Sequence, residues 1–141
     1  MAKERTLSII KPDAVIANHI GEIITIFEEN GLIVLGCKML HLTKEQAEHF
    51  YAIHTGKPFF EEIVQFMSSG PVVVICLEGE DAIEKNRDLM GVTDPKQAKE
   101  GTIRQRFGTN IGVNAVHGSD ALPTAKEEVS FFFNDHELFS R

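Results

Sequence analysis

Apolar positions along this chain follow two rhythms, one suited to strands and one to helices. Thr6-Leu7-Ser8-Ile9-Ile10 is a mostly apolar run that stops at Lys11-Pro12-Asp13, and it predicts a first strand. Ile20, Ile23, Ile24 and Phe27 recur at i, i+3, i+4 and i+7, which puts one apolar stripe on a helix that Asn30-Gly31 ends. Leu32 to Leu40, apolar and β-branched at its start, predicts a second strand. Thr43-Lys44-Glu45-Gln46 has the capping-box pattern and opens a helix through Ala47, Phe50 and Tyr51. After the break at Gly56-Lys57-Pro58, Phe60, Ile63, Val64 and Met67 form another helical stripe, closed by Ser69-Gly70-Pro71. Val72 to Leu77 is apolar without interruption, as in a central strand buried on both faces. A helix from about Asp81 to Met90 follows. From Gly91 to Gly112 the periodicity is lost, and a loop that long in a small domain usually carries function. A short fourth strand leads to His117. Thr124-Ala125-Lys126-Glu127, a second capping-box pattern, opens a last helix carrying Val129, Phe132 and Phe133.

The order β-α-β-α-α-β-α-loop-β-α contains two β-α-β halves with short strands. It predicts an α/β (α+β) ferredoxin-like sandwich: a four-stranded antiparallel sheet covered by helices, mainly on one face. A doubly wound parallel sheet is the alternative that β/α alternation leaves open. A length of 141 residues suits one domain spanning 1–141, and 43% hydrophobic with 25% charged residues is enough to bury a core. No apolar run approaches a membrane span, and the charged start Met1-Ala2-Lys3-Glu4-Arg5 carries no export signal, so the expected location is the cytoplasm. Cys37 and Cys76 sit in apolar runs and are expected to be buried small hydrophobes, not a disulfide or metal site. The net charge of −7 argues against nucleic-acid binding. If such a chain binds phosphates, it does so with a few placed cations.

The candidate chemistry centres on Asn114-Ala115-Val116-His117-Gly118-Ser119-Asp120. One imidazole follows two apolar residues and precedes a turn of small polar ones, which is how a fold presents a single reactive side chain. A neutral imidazole is a good nucleophile near physiological pH; the competing reading is an idle turn histidine. Lys11 ends a strand, where sites are often built. Phe59 lies off the centre of its helical stripe and could stack on a flat ligand. Arg87 shares a face with Ile83 and Met90, so it either snorkels or points into a cleft. Arg104 lies in the structureless loop. The chain has no Walker-type phosphate loop: its nearest string, GLIVLGCK from Gly31 to Lys38, has Cys where the lysine belongs. GxGxxG and HExxH are also absent, and the histidines at 19, 41, 49, 54, 117 and 136 show no metal-ligand spacing. His49 and His54 read as surface residues.

Taken together these strings resemble the nucleoside diphosphate kinase family. Asn114-x-x-His117-Gly118-Ser119-Asp120 is similar to its signature, a specific motif. Glu4-Arg5-Thr6 to Ala14-Val15, Lys57-Pro58-Phe59-Phe60, Ser69-Gly70-Pro71-Val72-Val73 and Gly101-Thr102-Ile103-Arg104 match in the family's order, from about Arg5 to Phe133. The resemblance implies transfer of the γ-phosphate of a nucleoside triphosphate, mainly ATP, to nucleoside diphosphates by a ping-pong route through a phosphohistidine. It implies His117 as the nucleophile, with Lys11, Tyr51, Phe59, Arg87, Thr93, Arg104, Asn114 and Glu128 at positions used around the nucleotide or the histidine. It also implies Mg²⁺ held through the nucleotide phosphates without protein ligands, and a homo-oligomer. A tetramer is favoured by the short, bacterial-looking C-terminus, with dimer or hexamer as alternatives. One departure stands out: Ile53 occupies a position near the phosphate entrance that is acidic in many members.

These residue types suit phosphoryl transfer, which needs alignment and charge neutralisation more than covalent machinery. Lys11, Arg87 and Arg104 come from distant segments and can surround a polyphosphate. Thr93 and Asn114 can hydrogen-bond phosphate or sugar hydroxyls, and Tyr51 can brace the histidine or a phosphate oxygen. Stacking on Phe59 accepts any base. Glu128 is placed to hold one ring nitrogen of His117, and the expected first half-reaction weakens below a pH of about 6.5, the ordinary histidine value. A catalytically silent nucleotide-sensing domain of the same fold is the competing reading.

Overall fold

Every residue from Val72 to Leu77 is buried, and alternate side chains go to opposite cores. Val72, Val74 and Cys76 join one, while Val73, Ile75 and Leu77 join the other. That two-sided burial follows from the uninterrupted apolar run, and it requires cover on both faces of the sheet. The computed structural model describes residues 3–141; Met1 and Ala2, part of the N-terminal stretch on which the lack of an export signal was read, lie outside the described residues.

The strands are β1 (Lys3–Ile10), β2 (Ile33–Leu40), β3 (Val72–Glu80) and β4 (Val116–Gly118). They form one sheet in the order β2-β3-β1-β4, with every pairing antiparallel. The doubly wound alternative is thereby excluded, and the ferredoxin-like arrangement stands. The helices are α1 (Pro12–Ile16), α2 (Ile20–Glu29), α3 (Lys44–Phe50), α4 (Phe60–Met67), α5 (Ala82–Met90), α6 (Ile103–Phe107) and α7 (Leu122–Phe132). Cover mainly on one face is corrected. α3, α4 and α7 supply Ala47, Phe60, Val64, Val129 and Phe132 to the first core, and α1, α2, α5 and α6 supply Ala14, Phe27, Ala82, Met90 and Ile103 to the second.

Several local expectations hold and several change. Thr43 caps α3 through the reciprocal box with Gln46. The second box does not form: α7 begins earlier, with Ala121 as N-cap and Pro123 in the first turn, so Thr124 is already inside the helix. The stretch 91–112 is not structureless, because Thr102 accepts a hydrogen bond from the Gln105 N–H and opens α6. Cys37 is exposed, not buried. It lies on the edge strand β2, on the face that α2 leaves uncovered beyond the β2 bulge at Val34/Gly36. Cys76 is buried as expected.

Candidate active site

β4 places His117 directly opposite Ile9 of β1, so the imidazole leaves the sheet on the side covered by α3, α4 and α7. There His117 Nε2 lies 2.9 Å from Glu128 Oε1 of α7. A carboxylate accepts here, so Nε2 carries a proton, and in the neutral ring Nδ1 is the nitrogen with the lone pair. Ser119 donates its hydroxyl to the same Glu128 oxygen at 2.7 Å and accepts the Leu7 N–H at 3.3 Å. The carboxylate is therefore anchored to the sheet as well as to the ring. Phe50 and Tyr51 wall the imidazole edge-on, with centroids 5.3 and 6.0 Å away. The Tyr51 hydroxyl is buried without a hydrogen-bond partner, so its contact with the histidine is through the ring. Burial, with the Glu128 charge nearby, raises its pKa, which keeps it a neutral donor.

The segment before β4 is tied to the end of β1. Lys11 Nζ donates to Asn114 Oδ1 at 2.8 Å, and Asn114 Nδ2 donates to the Thr93 carbonyl at 3.0 Å. Thr93 thus meets Asn114 through its backbone carbonyl. Ala115, fully buried, adopts φ +75°, the left-handed region that a residue with a Cβ seldom occupies. Burial and the neighbouring Arg104 charge push the Lys11 pKa down to about 8, with Asp13 opposing. Arg104 is 9% exposed and donates to the carbonyls of Gly91 (3.1 Å) and Val116 (2.9 Å). Its Nε–H is buried and unpaired, a donor without an acceptor. Burial and Arg87 lower its pKa to about 10, so it remains a cation at neutral pH.

A cleft of about 620 Å³ opens beside these groups, lined by Phe59, Ile63 and Ile111 together with Lys11, Arg104, Asn114 and the carboxylate-bearing Glu62. Apolar surface combined with cations and amides suits a flat ring joined to a phosphate chain. Phe59 is 42% exposed at the N-terminus of α4, in place to stack. Arg104 also borders a second cavity of about 540 Å³ with Arg87 and Lys99. Arg87 is not on the apolar stripe of α5. Ile83, Asn86 and Met90 form that stripe, and Arg87 is turned outward to the cavity rim.

His117 and Glu128 form one contact and Lys11, Asn114 and the Thr93 carbonyl a separate chain of hydrogen bonds, Arg104 is bonded to the Gly91 and Val116 carbonyls, and Phe59 and Arg87 face the adjoining cavities. His54, expected at the surface, instead stands in a line of rings between Tyr51 (6.4 Å) and Phe59 (5.3 Å). Its pKa is lowered by partial burial and the charges of Lys57 and His117. Ser119, Phe50 and Asp13 were not assigned roles from sequence. Ser119 lies two residues after His117 and so on the same side of the strand, a signal that was available. Among the described residues no group of three or more His, Cys, Asp or Glu could hold a metal ion.

The nucleoside diphosphate kinase family model matches residues 4–138. Nucleoside diphosphate kinases of Francisella tularensis subsp. tularensis and Burkholderia mallei are each 59% identical, over 99% of both chains and 100% of both chains respectively. An orthorhombic crystal form of the Aquifex aeolicus nucleoside diphosphate kinase superposes with a TM-score of 0.95 at 45% identity, covering 97% of this chain and 99% of that one. A halophilic nucleoside diphosphate kinase from Halobacterium salinarum, solved in complex with CDP, superposes with a TM-score of 0.96 at 42% identity, covering 99% of this chain and 93% of that one. Similarity at this level and over this length goes far beyond a shared sheet topology, and this chain belongs to the nucleoside diphosphate kinase family, phosphotransferases that act on nucleotides.

Proposed function

We propose that the chain transfers the γ-phosphate of a nucleoside triphosphate, mainly ATP, to a nucleoside diphosphate by a ping-pong route in which His117 Nδ1 carries the phosphate. The observation that supports this most directly is the 2.9 Å contact that occupies Nε2 and leaves the other nitrogen free. In the first half-reaction the Nδ1 lone pair attacks the γ-phosphorus. The bond to the β,γ-bridging oxygen breaks and the diphosphate leaves with that electron pair. The Nε2 proton stays, and the positive ring that results faces the Glu128 carboxylate. A second diphosphate then attacks the phosphohistidine and the steps reverse.

Lys11, Arg87 and Arg104 neutralise phosphate oxygens, Asn114 and Thr93 hydrogen-bond phosphate or ribose, and the Tyr51 hydroxyl and Arg104 Nε–H supply unpaired donors. Phe59 stacks on the base without reading its edges. Mg²⁺ would arrive with the nucleotide, held through its phosphates, and would neutralise part of their charge. The cations and amides here suit phosphate oxygens. Among the described residues the one carboxylate lining the cleft is that of Glu62, and Ile53, 83% exposed, adds none. We take residues 1–141 as one domain that works in the cytoplasm as a homo-oligomer, with a tetramer favoured.

The test is labelling with γ-³²P ATP in the absence of acceptor, followed by denaturation. The label is expected to be acid-labile and base-stable, to be absent in His117→Ala, and to leave on addition of any diphosphate. An unlabelled protein rejects the route and favours a silent nucleotide sensor, and a label retained in His117→Ala rejects His117 as the phosphate carrier.

A further inference from the structure

Ala115, at positive φ in a turn that the Val116 N–H closes onto the Asn114 carbonyl at 2.9 Å, is also held from both sides by one short segment. Its carbonyl accepts the Lys11 N–H at 2.8 Å, and its own N–H donates to Asp13 Oδ2 at 3.1 Å. Neither bond lies within a helix or a regular ladder, and Lys11 and Asp13 are about a hundred residues from Ala115 in sequence. A non-glycine residue at φ +75° persists only where its surroundings over-determine it. Its flanking residues are the ones that matter: Asn114 holds Lys11 Nζ on one side, and on the other the Val116 carbonyl takes Arg104 before His117 emerges. A change in the Ala115 backbone would therefore turn Asn114 and His117 relative to each other. Asp13 Oδ1 is buried and unpaired, so a single carboxylate oxygen makes the contact.

We infer that Asp13 is a positioning residue: its carboxylate oxygen clamps the Ala115 N–H and so sets the angle between the phosphate-binding Lys11–Asn114 pair and the His117 ring. This rests on the reading of His117 as the phosphate carrier.

The experiment measures the rate of phosphohistidine formation at saturating ATP in four proteins. Labelling of wild type tests the underlying reading; the variants test the clamp. Asp13→Asn keeps an acceptor oxygen and is expected to stay within a few-fold of wild type. Asp13→Ala removes the acceptor and is expected to lose about 10- to 100-fold, the scale of a small misalignment at a reacting centre. Asp13→Ala combined with Ala115→Gly is expected to recover most of that loss, because glycine holds a positive φ without a clamp. Thermal unfolding of each variant separates misfolding from misalignment. If Asp13→Asn is as slow as Asp13→Ala, the charge and not the hydrogen bond is what counts, and the inference fails. It fails equally if Asp13→Ala is unimpaired, or if the folded double variant shows no recovery.

Discussion

On the proposed mechanism, Lys11 is the residue whose ionisation is expected to limit the working range most directly. Its pKa is lowered to about 8 by burial first and by the Arg104 charge second, while Asp13 pulls it back up. A lowered lysine pKa means that the proton is lost early as pH rises. The ammonium is present below about 8 and gone above it, so phosphate binding weakens on the alkaline side. kcat/KM, which reports the free enzyme, is expected to fall above a pH of about 8, and Lys11→Arg is expected to move that fall upward, because arginine stays charged. A flat profile to pH 9.5 in the wild-type protein would count against Lys11 as a phosphate ligand. At this scale the groups to which the proposed function assigns substrate contact were legible in the sequence, because a lysine at a strand end, a lone histidine and an off-stripe phenylalanine break local patterns. Asp13 was not legible: it acts on a backbone N–H that only the fold brings near, and nothing in its neighbours announces it. Ser119 was announced only by its i+2 spacing from His117, and the carboxylate it holds is brought near by the fold.

Elements place those residues, and here the least regular segment is the most constrained. β4 is only Val116–Gly118, yet it must carry His117 on one face and pass α5 on the other. Gly118 makes the second possible. A Cβ there would lie 2.4 Å from Met90 Sδ and 2.5 Å from Asn86 Nδ2, closer than real contacts allow. Gly118→Ala is therefore expected to push β4 from α5 and to destabilise the fold by about 1–3 kcal/mol, the usual cost of overpacking. Urea unfolding checks it: the midpoint should drop with the slope unchanged. An unshifted midpoint would mean that α5 yields freely. The capping box found α3, and periodicity found α2 and α4 because each carries a clear apolar stripe. It missed α6, which has only five residues and is held by the Thr102 cap and by burial of Ile103 and Arg104. It mislaid the start of α7, because Pro123 opens the helix before the Thr-x-x-Glu pattern begins.

At the scale of the whole molecule, helices on both faces leave one part of the sheet bare. β2 is an edge strand. The chain's own tail ties down its start: Phe139 donates its N–H to the Leu35 carbonyl at 3.0 Å, and the Arg141 side chain reaches the Val34 carbonyl. Beyond the bulge nothing among the described residues covers the face carrying Cys37 and Met39, and Met39 is 58% exposed with Phe139 66% exposed near the same edge. A free edge beside exposed apolar groups favours pairing with another strand, and the strand that is always present at equal concentration is the same one in a second copy. Such a contact is isologous, so one substitution alters both sides of it. The expected mass by light scattering is a multiple of the 15.7 kDa chain, and Met39→Glu is expected to shift it toward the monomer by placing two carboxylates face to face. With a net charge of −7 on each chain, assembly should also tighten as salt rises from low to physiological strength, since screening relieves the repulsion while apolar contact is kept. A wild-type protein that is monomeric at tens of micromolar, or an assembly indifferent to Met39→Glu, would move the interface away from β2.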